Sequence, residues 1–168
     1  MGIKIQEVYY RITTQGEIMF TAQDELEIKE RLADIEQSVK VILFAAPARR
    51  IILVSSANEN NEVSEETEKL MRALAALSDK IVLEVHDPKE NVELVQQYRV
   101  TEIPTLIIEG DRDYGIRYLG TPNGYEFACL LEDLIAVGKR ESGLTEDSKK
   151  LVQALTEPLD LKVFVTPG

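Results

Sequence analysis

Thiol chemistry is the first possibility to weigh in a small acidic chain, and here a single side chain could supply it: Cys129 is the one cysteine among 168 residues. Thiol–disulfide exchange within one protein needs a thiol to attack and a second to resolve the mixed disulfide. No intramolecular disulfide and no Cys-x-x-Cys pair can therefore exist in this sequence. Cys129 stands between Phe127 and Leu130 and is expected to be a small buried hydrophobe, because a reactive thiol needs exposure and a depressed pKa. His86 is also single, without a second His or Cys to complete a metal site, and reads as structural or solvated. Asp87 beside it reads as a turn acid. Glu132 and Asp133 are adjacent, and neighbours on a helix point about 100° apart, so they form a solvated face rather than an acid–base pair. Gly110, Gly115, Gly120 and Gly124 fall at turns and caps, and no Gly-Lys-Ser/Thr follows to make a phosphate loop. No catalytic residue, metal ligand or cofactor is assigned, and an independent enzyme has little support.

The formal net charge of −11 argues against nucleic acid as a partner, since phosphate binding relies on clustered Lys and Arg that release counterions. The acids are spread along helix faces, which reads as a solvated surface. The opening MGIKIQEVYY has no apolar signal-peptide stretch, and no run approaches transmembrane length. No membrane partner and a cytoplasmic location are the expectation.

Several elements must position whatever function there is. Residues 8–13 and 17–20 flank Gln15-Gly16 and predict a hairpin. Thr21, with Asp24 three residues on, predicts the N-cap of a helix over 25–36 that turns Ile28, Leu32 and Ile35 inward. The apolar runs 39–46 and 51–55 predict two strands separated by Pro47 and Arg49-Arg50. The polar stretch 58–63 reads as a loop, and Ser64 as the N-cap of a helix over 65–77 with Leu70, Met71, Leu74 and Leu77 inward. A strand over 81–85, a short helix over 91–98, and strands over 105–109 and 115–119 follow, the last two joined by an acidic turn at Gly110. Tyr114 and Tyr118, with Arg117 between, read as sheet packing and surface. Thr121 reads as the cap of a helix carrying Pro122 near its start, with Phe127, Leu130, Leu131, Leu134 and Ile135 inward. Beyond Gly138 comes a linker over 139–143, a short helix capped by Thr145 and ending near 155, and a buried-type strand over 161–165.

The order strand–helix–strand–helix–strand–strand–helix over 51–137 predicts an α/β fold: a mixed sheet with helices on both faces. Three segments result. Residues 1–38 are a hairpin and helix extension, 39–137 the main domain, and 138–168 a linker, a helix and a strand.

The stretch Tyr98-Arg-Val-Thr-Glu-Ile-Pro-Thr105 resembles the thioredoxin-fold cis-proline loop. The continuation from Ile108 through Gly120-Thr-Pro-Asn-Gly-Tyr-Glu-Phe127 is similar to the N-terminal unit of the tandem protein disulfide oxidoreductases, the glutaredoxin-like proteins of thermophiles, which carry two thioredoxin-fold units in one chain. The ending Val163-Phe-Val-Thr-Pro167 resembles the opening strand of their second unit. The resemblance is specific over 79–167, weaker over 39–78 and absent before that. It implies a thioredoxin-like fold, a thermophilic source, and a loop at Ile103, Pro104 and Thr105 that pairs with extended peptide by strand addition. It also implies that 138–168 begins a second unit.

The departure from the family concerns its cysteines. Counted back from Asp79-Lys80, the cysteine motif falls near Asn61, Glu62, Val63 and Ser64, none of which can form a disulfide or leave as a thiolate. The family's catalytic residues therefore carry over to no position. The function implied is that of a redox-silent unit, structural or peptide-docking, that supports disulfide exchange done elsewhere. The alternative is a complete, non-catalytic adaptor. Either way the expected partner is a protein, a peptide or a second copy of the chain, with no cofactor.

Overall fold

The run beginning at Val39 is apolar on both sides, and a strand of that kind is stable only when both faces of its sheet are covered. A computed structural model describes residues 11–12, 18–47 and 58–164, with side chains described over 20–47 and 61–164. The strand expected over 51–55 and the turn at Gln15-Gly16 lie outside the described residues. In chain order the elements are β1 (Arg11–Ile12), β2 (Ile18–Met19), α1 (Ala22–Leu32), β3 (Val39–Phe44), α2 (Asn58–Ala75), β4 (Ile81–His86), α3 (Val92–Tyr98), β5 (Thr105–Glu109), β6 (Asp113–Leu119), α4 (Tyr125–Lys139) and α5 (Glu146–Gln153).

The main sheet has the order β4-β3-β5-β6, while β1 and β2 pair antiparallel on their own. β3 runs parallel to β4, from Val39 opposite Ile81 to Phe44 opposite His86. It runs antiparallel to β5, with Phe44 opposite Thr105, and β5 pairs antiparallel with β6. The sheet is thus mixed, as expected, and β3, α2 and β4 form a β-α-β unit. Alternation along β3 feeds two cores. Val39, Val41 and Leu43 join Leu106, Ile108 and the inner residues of α1, α2 and α4 on one face. Ile42, Phe44 and Ile107 meet Tyr98, Leu94 and Val95 of α3 on the other.

Helix starts follow local chemistry with two corrections. Thr21 and Asp24 form the expected capping box, the Asp24 amide donating to the Thr21 hydroxyl at 3.1 Å and the Thr21 amide to the Asp24 carboxylate at 3.1 Å. Thr145 likewise caps α5, accepting from the Ser148 amide at 3.2 Å. Ser64, however, does not cap α2: the helix begins at Asn58, so the segment expected to be a loop is its first turns. No Pro or Gly interrupts that stretch, and polarity alone does not stop a helix. Thr121 does not cap α4 either, whose N-cap is Gly124. The loop therefore runs three residues further than expected.

Other differences are smaller. β6 begins at Asp113, ahead of the expected start, and a bulge between Ile108 and Glu109 shifts its register. α4 continues into the expected linker as far as Lys139. Gly138 allows this helix to close on the turn after α1, because a Cβ there would sit 2.6 Å from Ile35 Cγ2 and 3.3 Å from the Gln37 carbonyl oxygen. The strand expected over 161–165 is absent from 161–164, which carry no regular secondary structure and are exposed. A strand is made by its ladder of hydrogen bonds, and among the described residues of one chain this segment makes none. Among the described residues no helix is long and apolar enough to cross a membrane.

Candidate functional site

The expected peptide-binding residues open β5. The Ile103–Pro104 bond is cis. α3 ends at Arg99 in the left-handed region (φ 55°), which lets the chain turn back toward the sheet. Thr105 is buried, paired to Phe44 and Leu119, and its hydroxyl donates to the Glu102 carbonyl at 2.6 Å. The Pro104 carbonyl accepts from the Gly120 amide at 2.9 Å, extending the ladder by one rung. Ile103 is half-buried, and among the described residues its own N–H and C=O have no hydrogen-bond partner. That pair of free groups is what an extended chain laid alongside would use.

Asn61, Glu62, Val63 and Ser64 lie within α2. Glu62 is exposed, Asn61 and Val63 are half-buried, and Ser64 is fully buried. The Ser64 hydroxyl accepts from the Ala46 amide at 3.2 Å, just beyond β3. One turn on, buried Thr67 donates to the Val63 carbonyl at 2.7 Å and meets the Thr121 hydroxyl, also at 2.7 Å. Each hydroxyl has one proton, so with Thr67 donating to Val63, Thr121 is the donor to Thr67. Thr121 directly follows Gly120, whose amide holds Pro104. Two consecutive residues thus tie the Pro104 loop to the stretch of α2 where the cysteine motif was expected.

Thr67 and Thr121 went unrecognised in the sequence as partners. The available signal was spacing: Ser64, Thr67 and Met71 fall on one helical stripe, so two small hydroxyl residues occupy core positions and must find buried partners. Among the described residues the partners of Ser64 and Thr67 are backbone groups and a hydroxyl, with no base to activate either oxygen.

The remaining candidates disperse. Cys129 is exposed, which corrects the expectation of burial. Phe127, Leu130, Leu131 and Leu134 form the inner stripe of α4, and position 129 falls off it. Its thiol pKa is raised, by partial burial first and then by the nearby carboxylates of Glu132, Asp133 and Glu126. His86 stacks near Phe44 with ring centroids 5.7 Å apart and lies 3.5 Å from Glu84. Asp133 accepts from the Tyr118 hydroxyl at 2.7 Å, while Glu132 lies 3.6 Å from Arg31, so the two acids serve different partners. Tyr114 is exposed, hydrogen-bonds Asp111, and carries the Arg112 guanidinium 5.1 Å over its ring. On the α3 face, Lys40 and Glu109 pair at 2.8 Å beside Tyr98. Among the described residues no group of three or more His, Cys, Asp or Glu could hold a metal ion.

No protein-family model and no curated protein matches the sequence. Solved structures match the fold. The protein disulfide oxidoreductase of Aeropyrum pernix superposes with a TM-score of 0.65 at 23% identity, covering 80% of this chain and 55% of that one. The NTD_N/C domain of alkylhydroperoxide reductase AhpF from Enterococcus faecalis gives 0.68 at 20% identity, covering 83% and 62%. A second structure of that reductase subunit gives 0.66 at 20%, covering 81% and 61%. At these identities the likeness establishes the fold, which is thioredoxin-like. The chain spans between 55% and 62% of the length of these matched chains.

Proposed function

We propose that this chain is a redox-silent thioredoxin-fold unit of the protein disulfide oxidoreductase kind, with a structural or peptide-docking part in disulfide exchange carried out elsewhere. The observation that carries this reading is the state of α2. Its side chains at the expected cysteine positions include no thiol, and its buried hydroxyls are spent on Ala46, Val63 and Thr121. The one thiol, Cys129, has a raised pKa and no second cysteine to resolve a mixed disulfide. What the site retains is the free backbone of Ile103, suited to an extended peptide. The partner is a protein or peptide, and with a net charge of −11 neither nucleic acid nor a membrane surface is a partner; the setting is the cytoplasm.

An insulin-reduction assay tests this directly. Turnover at the level of the Cys129→Ser variant is expected, and turnover clearly above it sinks the proposal. Nuclear magnetic resonance titration with an unfolded peptide tests docking, with shifts expected first at Ile103 and Thr105. The same free backbone favours a second reading, a complete non-catalytic adaptor that binds a partner protein at this edge. The intact mass of the protein in its source cells separates the two: a mass near 18.9 kDa selects the adaptor, and one near twice that selects a unit within a longer chain.

A further inference from the structure

The outer edge of β4 and the exposed segment 160–164 complement one another. We propose that two copies of this chain exchange them, so that residues 160–164 of each copy add to β4 of the other as an antiparallel strand and close a homodimer.

β4 stands at the end of the sheet order and pairs with β3 alone among the described strands. Its sequence, Ile-Val-Leu-Glu-Val-His, has no Pro or Lys, two of the residues that usually guard an open edge, and its one acid is Glu84. Val82 is 48% exposed on it. The opposite edge, β6, is protected by its bulge and by Gly115 at φ 83°. The segment that would cover β4 lies in solvent on its own chain: Leu161, Val163 and Phe164 are 78%, 75% and 89% exposed.

The two segments match in alternation. Ile81, Leu83 and Val85 face the larger core, while Val82, Glu84 and His86 share the other face. Glu84 and His86 lie 3.5 Å apart on that face, and Asp160 and Lys162, two residues apart in the same manner, also lie 3.5 Å apart. An antiparallel register with Lys162 opposite Glu84 sets Asp160 opposite His86 and Phe164 opposite Val82. It then sets Leu161 and Val163 opposite Val85 and Leu83, where they extend the core.

Neighbouring registers fail. A slip of one residue drives Lys162 onto the apolar face. A slip of two sets Asp160 opposite Glu84 or moves it beyond His86, past the end of β4. A parallel arrangement that keeps Lys162 with Glu84 moves Asp160 onto Val82. Reciprocal exchange caps both edges and stops at two copies, whereas one-way addition would continue into fibres. This pairing does not depend on peptide docking at Ile103.

Light scattering and sedimentation velocity on the whole chain across a concentration series test the proposal. The expected species has twice the 18.9 kDa chain mass. Phe164→Asp, which cannot disturb the fold from so exposed a position, is expected to give monomer. Lys162→Glu and Glu84→Lys are each expected to weaken the dimer about tenfold, since each dimer holds that pair twice, and together to restore it. A chain that stays monomeric at every concentration overturns the proposal. So does a dimer insensitive to all of these changes, and so does a monomer in which the 160–164 amides resist hydrogen exchange, because the strand then lies on its own sheet.

Discussion

The hydroxyls of Thr67 and Thr121 lie 2.7 Å apart and join α2 to the loop that leaves β6. Around this contact three segments distant in sequence converge: the end of β3 through Ala46 and Ser64, α2 through Val63 and Thr67, and the Pro104 loop through Gly120. In a dithiol enzyme this end of the sheet must let thiols move and react. Here it is fastened by hydrogen bonds that, among the described residues, have no activating group beside them. The consequence is a support for the Pro104 loop that is fastened from both β3 and α2.

Because Thr67 and Thr121 share one hydrogen bond, their contributions to stability should not add. Thr67→Val and Thr121→Val are each expected to cost about 1 kcal/mol, and the double variant clearly less than their sum. Ser64→Ala should cost about 1–2 kcal/mol, since it strips the Ala46 amide of its acceptor. Urea unfolding of the four variants measures all of these. Strict additivity of the two threonine changes would mean that the contact carries no energy.

Periodicity made much of this architecture legible. The inward stripes of α1 and α4, the β3 strand apolar but for Lys40, and the Thr21–Asp24 capping box are local patterns, and local patterns survive folding. What the sequence concealed were partners separated by long stretches of chain. Ser64 looks like an N-cap from its neighbours, yet its acceptor role is fixed by Ala46, eighteen residues away, and Thr121 is fixed by Thr67, fifty-four away. The apolar stretch at 161–164 shows the reverse limit: strand-forming composition alone does not make a strand until it is paired with an edge. Cys129 could have been placed outward, since the stripe through Phe127, Leu130 and Leu134 excludes it.

The exposed Cys129 should react slowly despite its accessibility. Burial and then the carboxylates of Glu132, Asp133 and Glu126 raise its pKa, so less thiolate is present at neutral pH than for a free cysteine. Iodoacetamide alkylation followed by mass spectrometry is expected to accelerate with pH to above the free-cysteine midpoint. Glu132→Gln should speed the reaction at neutral pH. A midpoint at or below that of free cysteine contradicts this account.

Gly138 is set by contact. A methyl group there would press on Ile35 and on the Gln37 carbonyl, whose residue also donates its amide to the Gly138 carbonyl at 3.0 Å. Gly138→Ala gains helix propensity but forces α4 away from the turn after α1. A net loss of about 1–3 kcal/mol is expected, read from the midpoint of chemical unfolding. A gain in stability would show that Ile35 moves aside freely.

The acid limb of the stability profile should carry the signature of Asp113. Its carboxylate accepts from two Arg117 nitrogens at 2.9 and 2.6 Å and from the Gly115 amide at 2.8 Å. The Arg117 hydrogen bond above all, helped by that amide and opposed by partial burial, holds its pKa below the ordinary carboxylate value. For a carboxyl depressed on folding, the stabilisation is fully present above the unfolded pKa of about 3.9 and is lost as pH falls through the lower folded value. The difference in unfolding free energy between the native chain and Asp113→Asn should therefore be flat from pH 8 to about pH 5 and shrink below about pH 4. With the pair partly open to solvent, the plateau should not exceed about 1 kcal/mol. Guanidinium unfolding at a series of pH values gives the curve, and a difference that grows on acidification would reverse the sign and dismiss the Arg117 pair as its source.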